Sequence, residues 1–332
     1  MIYHVRHQTI LRYAAPMRLA RFNLRLRPAP WAGQWTSDYA LTVDPAPSSI
    51  ESRPGAWPVH VARLVIESPI RQLTIESHFR VGVADSAPPE PQPDDPAIGA
   101  VANAALADRD MSASAPALYL YASTRAPLLP QVGAWVGDGL DPDRPVVAAA
   151  LALALRIRAE FAYDPGATDA STPVADAFAA RHGVCQDFAH VMVVALRLAG
   201  LPAAYVSGYL RTDPPPGRPR LIGADAMHAW VMLWCGPTRG WIGFDPTNGC
   251  ITGNGHIFVA MGRDYADVAP MDGLFVGGGG RASRRWSMSY RRKRWRDDRL
   301  SPNGVGDQPI FSNISIIPLR GRTVRRLIGS GL

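Results

Sequence analysis

The stretch RHGVCQDFAHVMVVALRLAGLP, residues 181–202, decides how this chain is read. Cys185, Phe188, Met192, Ala195 and Ala199 recur at spacings of three or four, which predicts a helix with one apolar, inward-facing stripe. The cysteine sits at the helix start, where free backbone N–H groups and the macrodipole favour an anion. The thiolate is the nucleophilic form of cysteine. Gly183 removes side-chain bulk beside the sulfur, which would let a substrate backbone approach. Taken alone, such a cysteine is usually a small buried hydrophobe. Chemistry at Cys185 requires a base and an orienting group elsewhere in the chain.

Two candidates have the right contexts. His228 opens HAWVMLW, a predicted strand in which His228, Trp230 and Met232 share a face. Asp245 ends GWIGFDP, an apolar strand stopped by proline, where a carboxylate is costly unless paired. A helix-start cysteine, a strand histidine and a strand-end aspartate form the nucleophile, base and orienter of thiol acyl-transfer enzymes. His190 lies about 140° round the helix from Cys185 and cannot face the thiol.

The chain around these residues has 332 positions, enough for a sizeable core in one or two domains. Residues 1–84 read as a β-rich N-terminal domain, since YHVRHQTILRY, YALTVDP, HVARLVIES and LTIESHFRVGV all alternate. DSAPPEPQPDDP, residues 85–96, reads as a proline-rich linker. Helices then follow: PVVAAALALALRIRAEFAY begins with proline at its first turn, and STPVADAFAARHG has a threonine cap and a closing glycine. Strands return in AAYVSGYLR, HAWVMLW and GWIGFDP. The fold class is therefore α+β, with a catalytic domain over 97–280.

Charge is unevenly placed. Residues 281–332 hold 13 of the 35 Lys+Arg and 3 of the 28 Asp+Glu, or +10, leaving 22 − 25 = −3 for the rest. Trp286, Tyr290 and Trp295 interleave with these arginines, a pattern that can bind RNA or anionic lipid. Its poor apolar periodicity reads instead as a disordered or frame-shifted tail, so no nucleic-acid partner is expected. Three cysteines without framework spacing suggest reduced thiols in a cytoplasmic setting. The opening residues show no secretory signal, and no stretch of about 18 apolar residues predicts a membrane span. Cys235, Cys250 and His256 lack a tight ligand pair, so neither a metal nor a cofactor is expected.

Four blocks together carry a family resemblance: RHGVCQDFAHVMVVALRLAGLPAAYVSGYLR, GADAMHAWVMLW, GWIGFDPTNG and HIFVAMGRDYADVAP. They resemble the bacterial transglutaminase-like family, whose members are described as candidate cysteine proteases. HQTILRYAAPMRLARFNLRLRP and DYALTVDPAP resemble its N-terminal β region, and the likeness extends over roughly residues 1–280. The resemblance implies a papain/transglutaminase-like core, a helix-borne cysteine packed on an antiparallel sheet, behind a β domain. It implies Cys185 as nucleophile, His228 as general base and Asp245 as its orienter, acting on a peptide or protein amide. The Cys185 N–H would serve an oxyanion hole. Gln186 is open to two readings, second donor or solvated first-turn residue. Met227 is larger than the small polar residue the family leads one to expect and should narrow the pocket. After residue 280 the family leads one to expect closing strands, which the arginine-rich text does not resemble. Hydrolysis is the expected outcome over crosslinking; the alternative is a non-catalytic peptide-binding module on the same fold.

Overall fold

The computed structural model describes residues 1–85, 87–211, 227–277 and 312–318. Five strands open the chain: β1 (Ile2–Leu24), β2 (Gln34–Asp44), β3 (Ser49–Pro54), β4 (His60–Ile66) and β5 (Ile70–Val83). They pair antiparallel in the order β2-β5-β1-β4-β3. Strand β1 is long enough to serve two sets of neighbours, β5 along its first half and β4 along its second. The changeover lies where the β1–β5 register shifts between Arg12 and Met17. Pro16 sits in that interval, the place in a strand where a missing N–H costs least.

No helix or strand interrupts residues 87–96, where prolines deny the backbone donors that either would need. The helical part comprises α1 (Ile98–Ala107), α2 (Pro130–Val136) and α3 (Val146–Glu160). A short strand β6 (Ala162–Tyr163), helix α4 (Val174–Ala180) and a second short strand β7 (His182–Gly183) follow, β6 and β7 pairing in parallel. The expected threonine cap of α4 is not formed. The Thr172 hydroxyl accepts the Asp169 N–H at 3.0 Å and so serves the preceding turn, while Pro173 precedes the helix. The helix is closed by Arg181 in the left-handed conformation, φ 55°, instead of by glycine.

Helix α5 (Cys185–Leu198) follows, then β8 (Ala203–Leu210), β9 (Met227–Trp234), β10 (Trp241–Asp245), β11 (Cys250–Ile251) and β12 (His256–Gly262). These strands form an antiparallel sheet in the order β11-β10-β9-β8-β12. The single apolar stripe expected for α5 is too narrow, because every residue from Asp187 to Arg197 is buried. Arg197 is accommodated by donating to the carbonyls of Tyr119, Ala203 and Arg263 and to the Ser123 hydroxyl. A helix so enclosed needs cover on all sides, and α2, α3, α4, β8 and β9 supply it.

The sheet is covered on its other face as well. Trp230, Met232, Val206 and Phe258 pack there with Ala29 and Tyr119, against Trp31 and Trp57. Strand β12 would otherwise be an open edge. Residues of the β-rich part close it: the Ala29 N–H donates to Val259 O (2.8 Å), the Met261 N–H to Pro58 O (3.0 Å), and the Gln34 side chain both donates to and accepts from the Phe258 backbone (2.8 and 2.9 Å). Because Phe258 is buried, Gln34→Ala is expected to leave two backbone groups unpaired and cost about 1–2 kcal/mol, read by urea unfolding.

After α6 (Tyr265–Val268), strand β13 (Met271–Gly277) pairs with the second half of β1, and β14 (Ser312–Pro318) with its first half. The disordered reading of 281–332 falls outside the described residues except at β14, where a strand stands on Tyr3–Thr9. Isoleucine-rich SNISIIP has the β-branched content for it. Among the described residues no helix is long and apolar enough to cross a membrane.

Candidate active site

Cys185 is the first residue of α5 and is half-buried. Its neighbours fix how the helix begins. The Asp187 carboxylate accepts the Val184 N–H at 2.8 Å and the Thr168 hydroxyl at 2.6 Å, which ties the turn before the cysteine to its first turn. A Cβ added at Gly183 would lie 2.5 Å from Asp187 Oδ2. Glycine at 183 thus makes room for this carboxylate, which corrects the reading that it admits a substrate backbone.

His228 is the second residue of β9 and is fully enclosed, with no side-chain exposure. Its Nε2 lies 2.8 Å from Oδ2 of Asp245, the last residue of β10 and equally buried. The strand order explains the meeting, since β9 and β10 are adjacent and antiparallel. Gly208 stands opposite His228 across the β8–β9 ladder, and a Cβ there would lie 2.3 Å from the Trp230 ring. The glycine leaves the space that the indole fills beside the imidazole.

The other imidazole nitrogen, Nδ1, has no well-formed hydrogen-bond partner among the described residues. The Cys185 thiol approaches His228 closely enough to favour its protonated form, without an aligned hydrogen bond. Such looseness is usual before substrate binds. Burial by itself would lower the His228 pKa; the charge and hydrogen bond of Asp245, helped by Cys185, outweigh it and raise it. Burial would likewise raise the Asp245 pKa, but the two histidines it contacts hold it well below the usual carboxylate range. A thiol, an imidazole and a carboxylate in this order can hold an imidazolium against a thiolate.

The remaining cysteines are unlike Cys185. Burial pushes the Cys235 thiol up, and burial with the nearby Asp245 charge raises Cys250 to about 12, so both stay protonated. His190 is turned away from the thiol, with its Nε2 accepting the Tyr265 N–H at 3.2 Å and its ring stacked on Tyr205 at 4.8 Å. Met227 is half-buried against the core. Gln186 is half-buried beside the cysteine.

Sequence reasoning missed three residues that converge on Asp245. The backbone N–H groups of Thr247 and Asn248 donate to Oδ1 at 3.0 and 3.1 Å, and Asn248 Nδ2 donates to Oδ2 at 2.7 Å. His256 Nε2 lies 3.2 Å from the same Oδ2. The aspartate–proline–threonine–asparagine–glycine run was a readable signal for the first two, since such carboxylates bond backbone N–H groups just ahead. His256, eleven residues on, had no local signal. The ligand atoms of His228, Asp245 and His256 lie within 4.8 Å of one another, the spacing of a metal site, but the hydrogen bonds among them account for it.

The profile of the transglutaminase-like superfamily matches residues 135–246, and that of the bacterial transglutaminase-like N-terminal region matches residues 3–82. An uncharacterised protein of Mycobacterium tuberculosis is 36% identical over 293 residues, which span 82% of this chain and 87% of that protein. A protein-glutamine gamma-glutamyltransferase of Pseudomonas aeruginosa is 40% identical over 90 residues, 26% of this chain and 13% of that protein. The crystal structure of a candidate cysteine protease from Cytophaga hutchinsonii superposes with a TM-score of 0.63 at 21% identity, over 82% of this chain and 86% of that one.

Proposed function

This chain belongs to the bacterial transglutaminase-like family, and on that premise we propose that Cys185, His228 and Asp245 break amide bonds in a peptide or protein by thiol acyl transfer. The observation that carries the proposal is His228, wholly buried, paired to Asp245 through Nε2, with no well-formed partner at Nδ1 among the described residues and the Cys185 thiol nearby. Cys185 Sγ attacks the carbonyl carbon and the amide oxygen takes negative charge. The N–H of Cys185, first in a 14-residue helix, is one donor suited to that charge. Collapse breaks the C–N bond, and the imidazolium of His228 gives its proton to the departing amine. His228 then takes a proton from water, whose oxygen attacks the thioester carbonyl and expels the thiolate.

Water is the resolving nucleophile we favour, being far more abundant than any amine. A glutamine acyltransferase among the similar proteins keeps transfer to an amine as the second reading. Screening peptide and isopeptide amides with and without a primary amine separates the two. Hydrolysis exceeding amine incorporation supports the first; the reverse ratio supports the second. Turnover retained by Cys185→Ser at the wild-type rate would overturn both, since a serine hydroxyl is not ionised by this pair at neutral pH.

A further inference from the structure

Asp245 receives more donors than an orienting carboxylate needs. Its Oδ1 accepts two backbone N–H groups, and its Oδ2 is shared by His228, Asn248 and His256. The second histidine is placed with care. His256 Nδ1 accepts the Gly253 N–H at 3.2 Å, so in the neutral ring the proton resides on Nε2 and is directed to Oδ2. The ring stands edge-on to Trp230 at 5.3 Å and 77°. His256 also opens β12, the strand whose free edge is closed by Ala29, Gln34 and Pro58 of the β-rich part.

We propose that His256 is a positioning residue that tunes the base: its Nε2–H takes a share of the Oδ2 charge that would otherwise go to His228, and so loosens the hold of His228 on its proton. This inference rests on the reading of His228 as the base. The chemistry asks for such a device. An imidazolium held too firmly by a buried carboxylate cannot hand its proton to a leaving amine, and acid–base catalysis is most effective when the group releases and regains its proton near the working pH. Titratable groups around Asp245 are His228 on β9, Cys250 on β11, His256 on β12 and, through His228, Cys185 on α5; Arg158 of α3 reaches the neighbouring Asn248 carbonyl. Of these, His256 is the one that donates to Oδ2 from a strand held by the β-rich part.

The test is the titration of His228 by histidine NMR in the full chain, with His228→Ala assigning its signals. His256→Phe keeps the ring shape but removes the donor, and His256→Gln keeps an N–H that can reach Oδ2. The His228 midpoint is expected to rise by roughly half a pH unit in His256→Phe, as loss of a donor to the charged partner requires, and to return toward wild type in His256→Gln. An unchanged or lowered midpoint in a folded His256→Phe would overturn the inference. If that variant does not fold, the wild-type 15N spectrum decides: His256 protonated on Nε2 supports the proposal, and protonation on Nδ1 overturns it. Cys185 alkylation in His228→Ala keeps the two levels apart. If it matches wild type, the base reading has failed; if it differs while His228 titrates alike in wild type and His256→Phe, only the tuning has failed.

Discussion

Asp245→Ala is expected to cost about 3–5 kcal/mol of stability, because it strands a buried, protonatable His228 without its counter-charge. Five hydrogen bonds to the carboxylate disappear with it, two of them from backbone N–H groups that are buried at Thr247 and Asn248. Asp245→Asn isolates the electronic role. The side-chain oxygen can still accept the backbone donors, but the amide NH₂ then faces His228 Nε2. That nitrogen must become the acceptor, which moves the ring proton to Nδ1, on the side of the thiol. The ring can then no longer take a proton from Cys185, and turnover should fall by about 10³–10⁴; stability should fall less than in Asp245→Ala, with Asn248 Nδ2 and His256 Nε2 losing their acceptor at the Oδ2 position. Urea unfolding and single-substrate kinetics on the two variants separate these effects. Equal stability in Asp245→Ala and wild type would contradict the buried pairing.

Acid is expected to unfold the protein well before its carboxylates are all protonated. His7 and His190 are fully buried as neutral rings, and burial lowers each pKa to about 4. His7 spends Nδ1 on the Tyr209 hydroxyl at 2.9 Å and Nε2 on Thr9 Oγ1 at 3.0 Å, so among the described residues a second proton would meet only those hydroxyls. The unfolded chain takes up these protons near pH 6.5 and the folded chain near 4. Between those values the unfolded state binds more protons, so stability falls as pH falls, by up to about 3 kcal/mol for each histidine. His228 has the opposite sign: its folded pKa is raised, so its contribution is complete below about pH 6.5 and declines as pH rises above it. Unfolding free energies at pH 7 and pH 4.5 should therefore differ by several kcal/mol in wild type. His7→Gln should flatten that slope by close to one proton; an unaltered slope would mean that His7 is not held neutral.

Periodicity carried most of the architecture. The alternation in residues 2–83 and the apolar runs at 203–210, 227–234 and 241–245 marked strands, and the 181–202 stretch marked the helix that packs among them. What escaped was tertiary. Gly183 looked like access for a substrate, yet the reason for it is a carboxylate four residues on that folds back over it. Thr172 had the residue type of a helix cap, but a nearer backbone N–H captured its hydroxyl. His228 and Asp245 were legible because each sits at a strand position where a polar group needs a partner. His256 sits at the start of a strand too, but its partner is on a strand separated from it in the sheet order by β9 and β8, so no sequence spacing encodes the pairing.

The most direct test is the rate of Cys185 carboxamidomethylation by iodoacetamide as a function of pH, in wild type and in His228→Ala. The other two thiols are protonated and buried or half-buried, so Cys185 should react first. Alkylation is expected to be rapid at pH 6 in wild type and to fall by at least about tenfold there in His228→Ala, where the thiolate has lost its imidazolium partner. Identical profiles in the two proteins, each rising only as a free thiol ionises, would make Cys185 a packing residue and contradict the account.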